Sequence, residues 1–270
     1  MKKTTTLFLL AVLLLLNGCS SVPITGRKQL NLVSDEQVLS SSIASYNSFM
    51  TSAKQANAIS TDKTKTAQVV RVGQKIAAAT EAYLRATGLE SDIKNFAWEF
   101  NLVKSNEMNA WCMPGGKIVV YEGLMKIVGS DDDLAVVLGH EVAHAVAKHS
   151  NERMSQQVAA QAGAQVLAGV LSGQTYQTQA IAQQVYGLGA QYGVMQPFSR
   201  KHESEADKMG LVLMTIAGYN PQNAITFWQK MSANSQTNVP EFLSSHPSHA
   251  TRINDLTKWV PEVQKQYGRK

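Results

Sequence analysis

The stretch from Gly129 to Ser150, GSDDDLAVVLGHEVAHAVAKHS, constrains the fold more than any other part of the chain. Ser130 is a natural N-cap. Asp131, Asp132 and Asp133 fill a first turn where the helix dipole favours negative charge. Leu134, Val137, Leu138 and Val142 supply apolar faces, so the expected helix is buried on most sides. Residues four apart on such a helix share one face, so His140 and His144 can both direct an imidazole nitrogen at one metal ion. Glu141 lies one step round from His140, placed to reach a water on that ion without being a ligand.

This is the H-E-x-x-H arrangement of zinc peptidases, in which two rigidly spaced imidazoles hold the ion and the carboxylate takes a proton from water. A third histidine ligand would require H-E-x-x-H-x-x-G-x-x-H, but Ala147 stands at the glycine position and Ser150 at the third-histidine position. His149 falls off the metal face if the helix continues, and reads as a helix-end or core histidine. A catalytic zinc still needs one more protein ligand and an open position. The stretch HESEAD offers Glu203 as that ligand. Asp207, four residues on and on the same helical face, suits a supporting role, hydrogen-bonding a ligating histidine and fixing its tautomer. Glu205 reads as surface acid and His202 as a solvent-side neighbour.

Three features together, HEVAH, the pair Glu203 and Asp207 some sixty residues later, and NAWCMPGGKIVVYEGL just upstream, resemble the gluzincins of metallopeptidase family 48. That family includes HtpX-like, CAAX-prenyl-protease-like and Oma-type enzymes. The likeness runs from about Thr66 to Trp259, and the spacing between the motifs is unlike that of thermolysin. It implies one Zn2+ held by His140, His144 and Glu203, with Glu141 as general base. It also implies that NAWCMPGG forms the edge strand of the cleft, where exposed backbone groups pair with an extended substrate. Asn109, Ala110, Pro114, Gly115 and Gly116 are the residues so marked. The family's multi-span anchoring is missing, which points to a periplasmic lipoprotein branch and away from CAAX-type substrates.

His246, in SSHPSHATRI, precedes a proline and is biased toward an extended loop. It resembles an "HP" element of periplasmic relatives. Three roles stay open: donating to the oxyanion, closing the open zinc position, or lying on a surface loop. His249 reads as a flanking residue.

The resemblance and the element pattern together give an α+β fold, mostly α. The expected parts are the active-site helix, a small antiparallel sheet and a helical hairpin between the two metal motifs. FAWEFNLVKS and KIVVYEGL are β-rich and alternating, and are expected to pair antiparallel, with Pro114, Gly115 and Gly116 in a turn between them. Helices are expected over about 35–56, 66–86, 152–171 and 176–194, then over RKHESEADKMGLVLMTIAG, NPQNAITFWQKMSA and the end of the tail. From Met154 to Ser199 there is no Asp, Glu, Lys or Arg, yet the stretch is too polar to span a bilayer. It is expected to be a hairpin packed on the core. The competing reading is a lid, or a surface that touches lipid or a membrane-protein substrate.

The N-terminus, MKKTTTLFLLAVLLLLNGCSS, carries a positive start, an apolar run from Leu7 to Leu16 and small residues leading to Cys19. It resembles a bacterial lipobox, with cleavage before Cys19 and acylation of that cysteine. Ser20 and Ser21 stand where an inner-membrane retention signal would place Asp, which favours the outer membrane facing the periplasm. With Cys19 lipidated, Cys112 alone remains and no internal disulfide is possible. Loss of Lys2 and Lys3 takes two charges from a formal net +5, and no basic cluster interleaves with aromatics, so nucleic acid is excluded as a partner.

The expected organisation is a signal peptide at 1–18, a lipid-anchored tether with an N-terminal helix at 19–65, a metallopeptidase domain at 66–260 and a C-terminal tail at 261–270. The expected function is a zinc metalloendopeptidase acting on unfolded or misassembled envelope proteins. Two rivals are a membrane-tethered chaperone or assembly factor for outer-membrane proteins with latent protease activity, and a structural metal-binding lipoprotein whose fourth ligand is His246.

Overall fold

The computed structural model describes residues 19–191, 195–234, 242, 246 and 251–268. The expected signal peptide and His249 lie outside the described residues. The chain separates into two compact units, one combining residues up to Val38 with Lys148–Lys201, the other combining Leu39–Ala147 with His202–Lys270.

The first unit begins with strands β1 (Cys19–Ser21) and β2 (Lys28–Leu30), antiparallel partners in which Cys19 faces Leu30 and Ser20 faces Gln29. The stretch expected to be a simple tether is thus partly a hairpin. Its turn forms over the PITG sequence, where Ile24 and Gly26 take positive φ of 67° and 69°. Helix α1 (Asp35–Gln55) follows. Asp35 accepts from Lys148 Nζ at 2.7 Å and from Asn151 Nδ2 at 2.8 Å. Arg27 clamps Glu152 with two hydrogen bonds of 2.9 and 2.7 Å.

The second unit carries helix α2 (Lys63–Ala86), N-capped by Asp62, then the short α3 (Glu90–Ile93) and a three-stranded sheet. Its strands are β3 (Glu99–Val103), β4 (Ala110–Met113) and β5 (Lys117–Tyr121), in the order β3-β5-β4. The sheet is small, as expected, but mixed. β3 and β5 run parallel, with Phe100 opposite Ile118, and only β4 is antiparallel to β5. The alternation that marks both strands carries no information on relative direction, and the intervening NAWCMPGG is itself the hairpin partner. Gly115 and Gly116 take φ of 94° and 79° in the tight turn between β4 and β5, a conformation open to glycine. One side of the sheet packs Val103 and Val119 against Tyr46 and Met50 of α1.

Helix α4 (Asp131–Val146) starts where its sequence says it should, with Ser130 Oγ accepting from Asp133 N–H at 3.1 Å. Asp133 is buried, and its carboxylate accepts from Gly129 N–H and Lys230 Nζ, both at 3.0 Å, and from Asn223 Nδ2 at 3.1 Å. Burial works to raise its pKa, but these donors win and hold it below the usual aspartate range. The helix stops at Val146. Lys148 adopts φ 54° in the left-handed region, and His149 opens helix α5 (His149–Val170). His149 is therefore not a histidine at the C-terminus of α4, although it is buried as expected of a core residue.

Helix α5 and helix α6 (Tyr176–Ala190) form the expected hairpin, with Tyr186 Oη donating to Ala160 O at 3.1 Å beside Gly163. It is not packed into a core as expected. No residue of α6 is buried, and Val166, Val170, Ile181 and Val185 are more than half exposed. Apolar residues are spread around both helices here, so composition is neutral but no single stripe forms. No helix among the described residues is long and apolar enough to cross a membrane.

Helices α7 (Gln196–Ile216), α8 (Asn223–Asn234) and α9 (Arg252–Tyr267) complete the chain. Where α4 and α7 cross, glycine meets glycine. A Cβ at Gly210 would lie 2.7 Å from His140 N, and one at Gly139 would lie 2.8 Å from Gly210 O. Both collisions are with backbone, which cannot move aside as a flexible side chain can. The Gly210→Ala variant should therefore spread the two helices. A stability loss on the order of 2 kcal/mol, read as a drop of several degrees in thermal unfolding, is expected together with weaker zinc binding.

Asp133 sets a second expectation. Its folded pKa lies below the unfolded value, so its contribution is present above about pH 4 and is lost as pH falls through the folded pKa. Asp133→Asn should be less stable than the parent at pH 7, and the gap should close in acid denaturation curves taken below pH 4.

Candidate active site

α4 and α7 bring the polar residues expected to act together into one buried cluster. His140, Glu141, Glu203 and Asp207 are each less than a tenth exposed, in surroundings made of Val137, Leu138, Val142, Ala206 and Met209. Charged groups in such surroundings need partners, and each has one. His140 Nε2 lies 3.1 Å from His144 Nε2 and 3.3 Å from Glu203 Oε2, and His144 Nε2 lies 3.4 Å from Glu203 Oε1. On its other side His140 Nδ1 bonds Asp207 Oδ1 at 2.9 Å, which leaves the Nε2 lone pair facing the cluster.

His246 joins the same group. Its Nδ1 is 3.1 and 3.2 Å from the two Glu203 oxygens and 3.4 Å from His140 Nε2. It stacks on Phe242, ring centroids 4.6 Å apart, and its N–H donates to Phe242 O at 2.8 Å. Phe242 N–H donates in turn to Met108 O at 3.1 Å, just before β4. One ligand atom each from His140, His144, Glu203 and His246 falls within 4.8 Å of all the others.

Glu141 points into the same space. Its Oε2 accepts from Cys112 N–H of β4 at 3.1 Å, whereas its buried Oε1 makes no well-aligned hydrogen bond and lies 3.4 Å from His246 Nε2. Burial raises its pKa, with His246 and His140 pulling the other way. Cys112 is free and only partly buried, its thiol pushed up by burial and by Glu141. His140 is pushed up to about 9: burial favours the neutral ring, but Asp207 and Glu203 outweigh it. Glu203 is held far below the carboxylate range, since its hydrogen bonds to His140 and His246 and the charge on His144 overcome its burial.

A zinc ion fits this donor set. A tetrahedron with zinc bonds of 2.0–2.1 Å has edges of about 3.3 Å, close to the 3.1–3.4 Å separations between the nitrogens and carboxylate oxygens. Glu141 Oε1, turned toward the cluster and 3.4 Å from His246 Nε2, stands where a general base would reach a water on such an ion.

The structure brings His140, Glu141, His144, Glu203, Asp207 and His246 into one cluster. Ala110 lies in β4, an edge strand, with Asn109 just before it. Pro114, Gly115 and Gly116 form the turn that closes β4 onto β5 rather than the edge itself, and Pro114 O accepts from Ser42 Oγ at 2.8 Å. Two expectations are corrected: Glu205 and His202, read as surface residues, are 7% and 2% exposed. His202 is one residue from Glu203, and Glu205 is two from both Glu203 and Asp207, on a helix that is buried on several sides.

One residue was missed. Arg252, at the start of α9, is buried and donates from Nε to Asp207 Oδ2 at 2.6 Å, with NH2 3.4 Å from Glu203 Oε2. Its guanidinium lies 3.9 Å over the Trp228 ring, which also faces His140. It neutralises the two carboxylates and holds Asp207 against His140. A single arginine after a loop carries no periodic signal, and only its closeness to SSHPSH marks it.

His140, His144 and Glu203, placed so that they could hold one ion, with His246 against them and a buried glutamate beside them, define the class: a zinc metallopeptidase site of the gluzincin type. Residues 63–260 match the model of Peptidase family M48, and the chain belongs to that family. It is 34% identical over 176 residues to the mitochondrial metalloendopeptidase OMA1 of Schizosaccharomyces pombe, covering 64% of this chain and 50% of that protein. It is 31% identical over 249 residues to the human mitochondrial metalloendopeptidase OMA1, covering 90% of this chain and 46% of that one. It is also 30% identical over 166 residues to the beta-barrel assembly-enhancing protease of Yersinia pestis, 58% of this chain and 33% of that protein. The chain thus spans about half the length, or less, of the curated relatives it matches.

Asp207 bonds the nitrogen of His140 that faces away from the other three donors, so its effect is confined to orientation and basicity. Asp207→Asn should weaken zinc binding about 10- to 100-fold in competition with a chelating dye while leaving one ion per chain at saturation.

Proposed function

We propose that this chain is a zinc-dependent metalloendopeptidase of the bacterial envelope, anchored by lipid on Cys19 and facing the periplasm. Its substrates are misfolded or misassembled envelope proteins. The observation that carries the enzymatic part is the buried Glu141, with Oε2 held by Cys112 N–H and Oε1 facing the donor cluster, 3.4 Å from His246 Nε2. A closed structural metal site has no use for such a residue. The envelope part is supported by the lipobox-like LNGC sequence and by similarity to proteins named for assisting β-barrel assembly.

His140, His144 and Glu203 hold the ion. When bound, zinc supplies a Lewis acid that polarises a carbonyl and lowers the pKa of water. The chain's own residues do the rest. Glu141 Oε1 takes the proton of the attacking water, and the same carboxyl returns it to the leaving amine. Burial of Glu141 raises its proton affinity toward what that shuttle requires. Cys112 N–H fixes the carboxyl's rotation, and Asp207 and Arg252 keep His140 and Glu203 in register. The open side of β4 receives an extended peptide, with Asn109 and Ala110 at its entry.

His246 is the residue that would cap a bound ion in the resting state. Its Nδ1 sits as close to Glu203 as the other ligand nitrogens do, so the position a substrate needs is taken until His246 withdraws.

Casein cleavage by the purified protein should be abolished by a chelator and restored by zinc. Glu141→Gln should lose at least a thousandfold in rate while still binding one zinc and unfolding at the parent temperature. His246→Ala should cleave faster than the parent. A Glu141→Gln chain that still supports envelope assembly in cells would point to the chaperone reading instead. Lower activity in His246→Ala, with zinc content unchanged, would assign His246 to the oxyanion.

A further inference from the structure

The unit that lacks the zinc ligands contains a cavity of its own, about 680 Å³ in volume, between β2, α5 and α6. Its walls are almost entirely apolar, made by Leu30, Ala159, Ala160, Tyr186, Ala190 and Met195. Glu152 also reaches it, but its carboxylate is already spent on the two bonds from Arg27. Two polar atoms in the lining are buried and lack hydrogen-bond partners: Gln29 Oε1, an acceptor, and Gln156 Nε2, a donor. Leaving one of each unpaired in apolar surroundings is costly, and the polar head of a ligand seated beside Gln29 or Gln156 would offset part of that cost.

An amide-linked acyl chain has that chemistry: an alkyl tail for the apolar walls, one C=O and one N–H. Lys28 is the one cation among the described lining residues, and its Nζ donates to Ser21 Oγ at 2.7 Å. α5 and α6 carry no Asp, Glu, Lys or Arg from Met154 onward, so any charge on a ligand belongs at the β2 end and the rest must be apolar. A peptide would bring more amides than the two that can be met. The strand pairing supplies a source. Cys19 lies opposite Leu30 and Ser20 opposite Gln29, and Gln29 Nε2 donates to Ser20 Oγ at 3.1 Å. A group attached to Cys19 therefore begins one strand spacing, about 4.8 Å, from the cavity wall.

We propose that this cavity binds a long acyl chain, that of the lipid on Cys19 or that of a membrane lipid. The first source rests on the lipoprotein reading above; the cavity's preference for an alkyl chain does not. Bound there, the chain leaves the bilayer and docks this unit onto its own anchor.

The test uses the full chain, expressed in bacteria fed palmitate that carries a photoreactive diazirine. After irradiation, crosslinks are mapped by mass spectrometry, and the intact mass reports whether Cys19 is acylated. Crosslinks at Ala159–Ala160 and Tyr186–Met195 are expected, joined to the Cys19 peptide. In Cys19→Ser, loss of these crosslinks identifies the chain's own lipid as the source, and their persistence as separate lipid adducts identifies a membrane lipid. A Cβ at Gly189 meets no atom within 4 Å, so Gly189→Phe fills the cavity without a clash and should cut the yield at least tenfold. Ala190→Phe is the second blocking variant, with unchanged circular dichroism required of both. Crosslinks confined to the exposed Val166 and Ile181 face, or unchanged by both fillings, would overturn the proposal. An intact mass without acyl groups would overturn the lipoprotein reading alone.

Discussion

Two helices can approach to backbone contact only where neither has a side chain in the way, and that condition is met at Gly139 and Gly210. Gly139 immediately precedes His140, and Gly210 lies two turns beyond Glu203. The closeness of the crossing brings a carboxylate on one helix within 3.3–3.4 Å of two imidazoles on the other. Neither ligand set is complete without the second helix. The metal geometry is thus a property of helix packing, in which a single added methyl group would be felt at the ion.

The cluster also shows how a buried site tolerates so many ionisable groups. Asp207 and Glu203 both stand against His140, and Arg252 lies against both carboxylates from the opposite side. Trp228 covers the guanidinium and faces His140. The arginine is permanently charged, so the two acids keep a counter-ion whether or not a metal is bound. Glu141 is treated differently: it has one backbone N–H and the His246 ring 3.4 Å away, and burial outweighs both, leaving its proton affinity raised rather than lowered. Two glutamates in one pocket thereby hold opposite electrostatic settings, one suited to binding an ion and the other to moving a proton.

Much of this was legible in the chain. Helical spacing places His140, Glu141 and His144, and likewise Glu203 and Asp207, because an i,i+4 relation survives whatever the tertiary packing does. The capping residues Ser130 and Asp131–Asp133 mark the active-site helix for similar local reasons. What local pattern could not carry was anything set by distant parts of the chain. The parallel pairing of β3 with β5, the burial of His202 and Glu205, and the role of Arg252 all depend on which element packs where. The α5–α6 hairpin misled in another way: neutral, alanine-rich helices look packable, but packing requires one coherent apolar stripe. His246 fell between these cases. Its proximity to a proline gave it a loop, and only the fold gave it Glu203.

One backbone hydrogen bond, Phe242 N–H to Met108 O, ties the turn bearing His246 to the residues leading into the edge strand β4. The two sides of the cleft are therefore mechanically joined. On the function proposed above, a peptide that adds itself to β4 acts through this tie on His246, the residue proposed to cap the metal. Linkage then runs in both directions: if strand addition favours the retracted His246, retraction favours strand addition by an equal factor. A chain able to offer a long extended stretch would spend part of its pairing energy on opening the site, whereas a folded one has none to spend. Selectivity for unfolded polypeptide would then arise at the gate, with no pocket required to recognise any particular side chain.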